Sequence, residues 1–161
     1  EKLRRFDVFD VTGLPITVGV TSANQINKVA TLFHQGWDSV SISPNCRFGD
    51  SGRYGILVKF GVPREIAEML LIHEATHLWL AARMLDHLHP TVAEGLCQFA
   101  VWIFVYRNSE STRPLRADEE FRLKMLRYSR NTVFSAGANA AIDAAQLLPN
   151  PFSFHDLVTW V

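Results

Sequence analysis

The stretch LLIHEATHLWLAA, residues 70–82, sets two histidines and a glutamate into one of the most apolar runs of the chain. Ionisable side chains are costly to bury unless a partner compensates them, so the run raises the question of what compensates His73, Glu74 and His77. Ile66, Ala67, Met69, Leu70, Leu71 and Ile72 before them, with Leu78, Trp79 and Leu80 after, leave nearly every side of a helical repeat apolar. The pattern predicts a central, buried helix. It opens near Pro63, a residue suited to the first helical position, and runs to about Leu85. On that helix His73 and His77 lie one turn apart on one face, so both imidazoles can chelate a single metal ion without distorting the backbone. Glu74 is turned by about 100° from His73, too far round to complete the same ligand set and placed to serve as a general base. Two ligands and a base at this spacing make the HExxH arrangement of zinc peptidases.

Zinc sites of this kind take a third protein ligand and keep one position open. Glu94, 17 residues after His77, is the candidate. A helix running to Leu85 carries the chain about 12 Å beyond His77. The largely extended DHLHP (86–90) can bring it back about 16 Å, helped by Pro90, which biases His89 towards an extended backbone. Thr91-Val92-Ala93-Glu94 also reads as a capping box, in which Glu94 folds back onto the Thr91 amide. Glu94 cannot do both, and spacing leaves the two roles open. Gly95, costing about 1 kcal/mol against alanine within a helix, points to the close approach of another backbone or a ligand.

Outward from this core the chain divides into a strand-rich part, 1–62, and a helical part, 63–161, read together as a single domain with an α+β architecture. FDVFDVT (6–12) and PITVGVTS (15–22) alternate with period two around Gly13 and predict two strands joined by a turn. Ile26, Val29, Ala30 and Phe33 recur at helical spacing, with Ser22 and Gln25 as a capping box and Gly36 as a stop. SVSIS (39–43) and YGILVKF (54–60) predict further strands around the loop PNCRFGDSGR (44–53). Helices are then expected over about Thr91–Tyr106, Leu115–Arg130 and Thr132–Leu148, with a short one after Ser153.

Composition narrows the function. Apolar residues make up 48% and charged residues 20% of 161, the balance of an ordinary globular protein. Sixteen basic residues offset sixteen acidic ones, so no net field recommends nucleic acid or an anionic membrane as a partner. RLKMLRYSR (122–130) follows ADEE (117–120), an order that suits a helix dipole and reads as a solvated helix face. Cys46 and Cys97 are too few for a disulfide framework or a cysteine-based zinc module, and Cys97, in an apolar run, reads as a small buried hydrophobe. LCQFAVWIFVY (96–106) is well short of the roughly 20 residues of a membrane span, and the N-terminus carries no secretory pattern. A reducing, cytoplasmic setting is the expectation. The first residue, Glu1 rather than methionine, fits a processed or trimmed piece of a longer chain.

Three features taken together resemble one family: FGVPR leading into the helix, HEATHLW itself, and EGLCQ at its distance (60–64, 73–79 and 94–98). They look like the peptidase domain of the plant "DA-one" organ-size family of ubiquitin-receptor peptidases, within the glutamate-zincin (gluzincin) clan. FSAGANAA (134–141) is similar to that family's F-x-x-G-x-x-A segment. The similarity is dense over about Tyr54–Phe104 and thin elsewhere. The resemblance implies a zincin-like fold, zinc on His73, His77 and Glu94, and Glu74 as catalytic base. Gln98, one turn after Glu94, is then placed to orient a ligand histidine through its ring N–H. The family typically carries ubiquitin-interacting motifs and a cysteine-rich LIM module ahead of the peptidase, and neither occurs in these 161 residues.

A zinc peptidase with this site hydrolyses a peptide bond in a protein or peptide substrate. Glu74 takes a proton from the attacking water and hands it to the leaving amine. His87, His89, Tyr128 and His155 are the candidate donors to the developing oxyanion. YGILVKF has two readings, an edge strand that pairs with extended substrate or an ordinary interior strand. The family adds ubiquitin, or proteins linked to it, as a candidate partner. The rival from another class is a regulatory binding module of the same shape without catalysis. Its zinc would be purely structural, closed by a fourth ligand such as His87 or His89.

Overall fold

The computed structural model describes residues 11, 13–30, 39–42, 54–85, 87–108, 117, 120, 121, 123, 124, 132–147, 154, 157 and 158. They fall into two compact units, one within Val11–Asp86 and the other within His87–Val161. The first mixes strands with helices and the described residues of the second are largely helical, so the chain is mixed α+β.

The first unit runs β1 (Ile16–Thr21), α1 (Ala23–Ala30), β2 (Ser39–Ile42), β3 (Tyr54–Lys59) and α2 (Arg64–Ala82). The strands expected at PITVGVTS, SVSIS and YGILVKF are formed. The expected strand FDVFDVT lies outside the described residues except for Val11, which is not in a strand. The loop 44–53, with Cys46, and the helix stop at Gly36 also lie outside them. Ser22 caps α1 as expected, its carbonyl accepting the Gln25 and Ile26 amides at 3.1 Å. Its hydroxyl oxygen receives the Gln25 amide at a long 3.4 Å. The Gln25 side chain, however, accepts from the Thr21 hydroxyl.

The sheet order is β1-β3-β2. β3 pairs in parallel with β1, Ile16 facing Tyr54, and antiparallel with β2, Ser39 facing Val58. YGILVKF is therefore an interior strand, and the edge-strand reading is corrected. The physical reason is the crossover: β1 reaches its parallel place beside β3 through α1 and β2, and no local pattern announces such a return. Ile56 and Val58 are buried, and α2 packs against β2 and β3.

In α2 the residues Ile72–Thr76 and Leu78–Leu80 are all buried, so more than two turns are enclosed on every side but that of half-buried His77. This is the central helix the apolar repeat predicts. Pro63 stands one place before it as the N-cap, its carbonyl accepting the Ala67 amide at 2.8 Å. The helix stops at Ala82 rather than near Leu85. Met84 turns into the left-handed region with φ 58°, its amide bonding Ala81 O and the Leu85 amide bonding Leu80 O, both at 3.0 Å. That pair of bonds is a Schellman stop, in which glycine normally fills the left-handed place. Met84→Gly should relieve about 1 kcal/mol of backbone strain and raise the urea midpoint; an unchanged midpoint would count against strain at this turn.

The described helices of the second unit include α3 (Pro90–Asn108) and α4 (Thr132–Gln146), close to the expected spans. Their crossing explains Gly95. A Cβ on Gly95 would lie 2.5 Å from Gly137 O, and one on Gly137 would lie 2.2 Å from Thr91 O. Backbone meets backbone there, with no room for a methyl group. Gly137→Ala should destabilise the protein by about 1–3 kcal/mol despite alanine's better helix propensity, seen as a lower urea midpoint. Phe99 anchors this unit, fully buried and stacked on Trp102 and Phe154 at centroid distances of 5.8 and 6.3 Å. Ala117, Glu120, Phe121, Leu123 and Lys124 are helical within the expected Leu115–Arg130 span. Lys124 bonds Glu120 at 2.8 Å on an exposed face, holding that carboxyl below its ordinary range, as the solvated reading of the basic run anticipates. No helix among the described residues is long and apolar enough to cross a membrane.

Candidate metal centre

Two histidines on one helical face can still point apart, so their ring atoms decide whether they can share a ligand. The Nε2 atoms of His73 and His77 lie 3.2 Å apart, with the rings edge to face at 76°. Zinc binds imidazole nitrogen at about 2.0–2.1 Å. A point that far from both nitrogens exists, and there they subtend about 100°, close to the tetrahedral angle of zinc sites. The imidazoles therefore fit zinc. His73 is 8% exposed, and His77 is half-buried. Between them Thr76, wholly buried, turns its hydroxyl to Ile72 O at 2.8 Å and keeps that polar group satisfied within the helix.

Glu74 is 2% exposed, and a carboxylate that deep needs a donor. The donor is Ser39 on β2, whose hydroxyl gives a hydrogen bond to Glu74 Oε1 at 2.7 Å. Sequence reasoning missed Ser39. Its place beside buried Val58 in the sheet emerges only from the strand register, which no local pattern announces. Beyond the second histidine, the Arg83 guanidinium lies 3.8 Å over the Trp79 ring, a cation–π contact at the end of α2.

In the second unit the start of α3 bears on the capping role of Glu94. His89 O accepts the Val92 and Ala93 amides at 2.8 and 3.1 Å, so His89 is the N-cap and Pro90 the first helical residue. The Thr91 amide is met by His89 Nδ1 at 3.3 Å. Thr91 therefore lies inside the helix, and the capping box over Thr91–Glu94 does not form: the cap belongs to His89, two residues earlier. Glu94 Oε2 is buried. Cys97, fully buried as expected, and half-buried Gln98 follow one turn along α3. His87 and His89 are exposed, while Tyr128 and His155 lie outside the described residues. Each unit offers side chains suited to a metal, His73 and His77 in the first and Cys97 in the second.

A family model described as "DA1-like: Protein DA1" matches residues 16–141, from the start of β1 into α4. The chain belongs to the DA1-like family. The DA1-like match takes in Ser39, His73, Glu74, His77, Glu94, Cys97 and Gly137. Among curated proteins, the chain is similar to "Protein DA1-related 2" of Arabidopsis thaliana, 38% identical over 50 residues, which is 31% of this chain and 10% of that protein. It is also similar to "Protein DA1-related 1" of the same plant, 42% identical over 43 residues, 27% of this chain and 8% of that protein. The similarity thus spans about a tenth of these DA1-related proteins' length. No solved structure matches the chain.

Proposed function

We propose that this DA1-like domain is a zinc-dependent endopeptidase of zincin-like fold, with His73, His77 and Glu94 as zinc ligands and Glu74 as general base. The observation that carries the reading is the convergence of the two Nε2 atoms at 3.2 Å beside a buried carboxylate on the same helix. Membership of a family known for peptidases supports it. When bound, zinc supplies Lewis acidity and a water acidified to a pKa of about 7. The protein supplies the rest. Glu74 removes a proton from the attacking water and delivers it to the leaving amine, while the buried walls of α2 exclude competing solvent. Gln98 orients a ligand histidine, and His87, His89, Tyr128 or His155 donates to the oxyanion.

A second reading follows from Cys97. A thiolate one turn from Glu94 on α3 would, beside two imidazoles and a carboxylate, close a four-ligand site of the kind that is structural rather than catalytic. The domain would then be a zinc-stabilised binding module. Proteomic cleavage-site mapping with wild type beside Glu74→Gln separates the two: new protein termini that depend on Glu74 support the peptidase, and identical termini in both samples overturn it. Ubiquitin, or proteins linked to it, is the proposed partner on family grounds, in a cytoplasmic setting. If the chain neither binds ubiquitin nor cuts ubiquitin-linked proteins faster than plain ones, that partner is dropped.

A further inference from the structure

Glutamate carries three side-chain torsions, and a base that wanders among them is in the wrong place for much of the time. A misplacement of about 1 Å in a reacting group can cost on the order of a hundredfold in rate. Glu74 is held at one end: Oε1 accepts the Ser39 hydroxyl at 2.7 Å, with both residues at most 3% exposed. Hydroxyl-to-carboxylate bonds of this length are among the stronger ones in proteins, the more so away from water.

We infer that Ser39 is a positioning residue for Glu74, anchoring Oε1 so that Oε2 is left free to move the proton. The inference deepens the peptidase reading and rests on Glu74 being its base. The anchor is itself rigidly mounted. Ser39 opens β2 opposite Val58, and β3 feeds α2 through the short turn at Phe60–Pro63. The Phe60 amide extends the ladder to Thr21 O at 2.8 Å, fixing the end of that strand. Gly61, at φ 86°, makes the reversal into the helix. Hydroxyl and carboxylate thus sit on two elements that pack directly together in one unit. Ser39 lies on a short strand and spends its hydroxyl on Glu74, so its contribution is to the base.

A purely structural serine would satisfy a buried carboxylate and affect stability alone. The two roles separate in zinc-loaded Ser39→Ala and Ser39→Thr, assayed on one peptide with Glu74→Gln as reference. Ser39→Ala should keep stoichiometric zinc and an unchanged KM while kcat falls roughly ten- to hundredfold. Ser39→Thr, which keeps the hydroxyl, should recover most of the loss. A Ser39→Ala kcat within about twofold of wild type overturns the inference. If zinc-loaded wild type cuts nothing, the peptidase reading fails on its own, and crystal structures still test the anchor. In Ser39→Ala the Glu74 carboxylate should leave its wild-type position, and a carboxylate that stays in place overturns the positioning role.

Discussion

Glu74→Gln should keep its fold and its zinc yet lose peptide hydrolysis by about a hundred- to ten-thousandfold, the usual loss when a general base is removed. The substitution is nearly isosteric. The amide still offers a carbonyl oxygen to the Ser39 hydroxyl, so the buried bond seen at 2.7 Å survives in kind. What disappears is a group able to take a proton at neutral pH. His73 and His77 are untouched, so elemental analysis should find as much zinc as in wild type. A mutant with more than about a tenth of wild-type activity at equal zinc would remove Glu74 from the role of base.

Glu94→Ala should lose zinc and activity together, because two imidazoles alone hold zinc weakly. The helix start sharpens this test. Since His89 rather than Thr91 caps α3, neither Thr91→Ala nor Glu94→Ala removes the cap. Thr91→Ala should spare zinc and cost less than the roughly 1 kcal/mol of a lost N-cap. Cys97→Ser completes the set. With Glu94 as ligand it keeps zinc; zinc lost from Cys97→Ser but kept by Glu94→Ala would put sulfur in the third position.

The helix bearing the histidines was legible because the 3.6-residue repeat and the ligand spacing are both local properties. So was the close approach at Gly95, although its partner, Gly137, lies far along the chain and only tertiary packing reveals it. Helix ends were less legible. Met84 performs a turn usually given to glycine, so nothing in Arg83-Met84-Leu85 marks the stop. At α3 the signal existed: a proline favours the first helical position, which makes His89 the cap and breaks the apparent box at Thr91. The same rule placed Pro63 one residue too far inside α2, a reminder that helix starts are read to within a residue or two. Strand order was not legible, since β3 gains its parallel neighbour from a crossover rather than a hairpin. Nor was Ser39, because a serine in a four-residue strand looks like surface until the helix opposite it is known.

The most direct test of the central claim is cleavage of an unfolded protein by the zinc-loaded chain, before chelation, after chelation, and after zinc is restored. One zinc per chain is expected, with cleavage that stops when zinc is removed and returns with it. A chain holding its full zinc that leaves the unfolded protein intact, or cleavage that survives complete removal of the metal, would contradict the account.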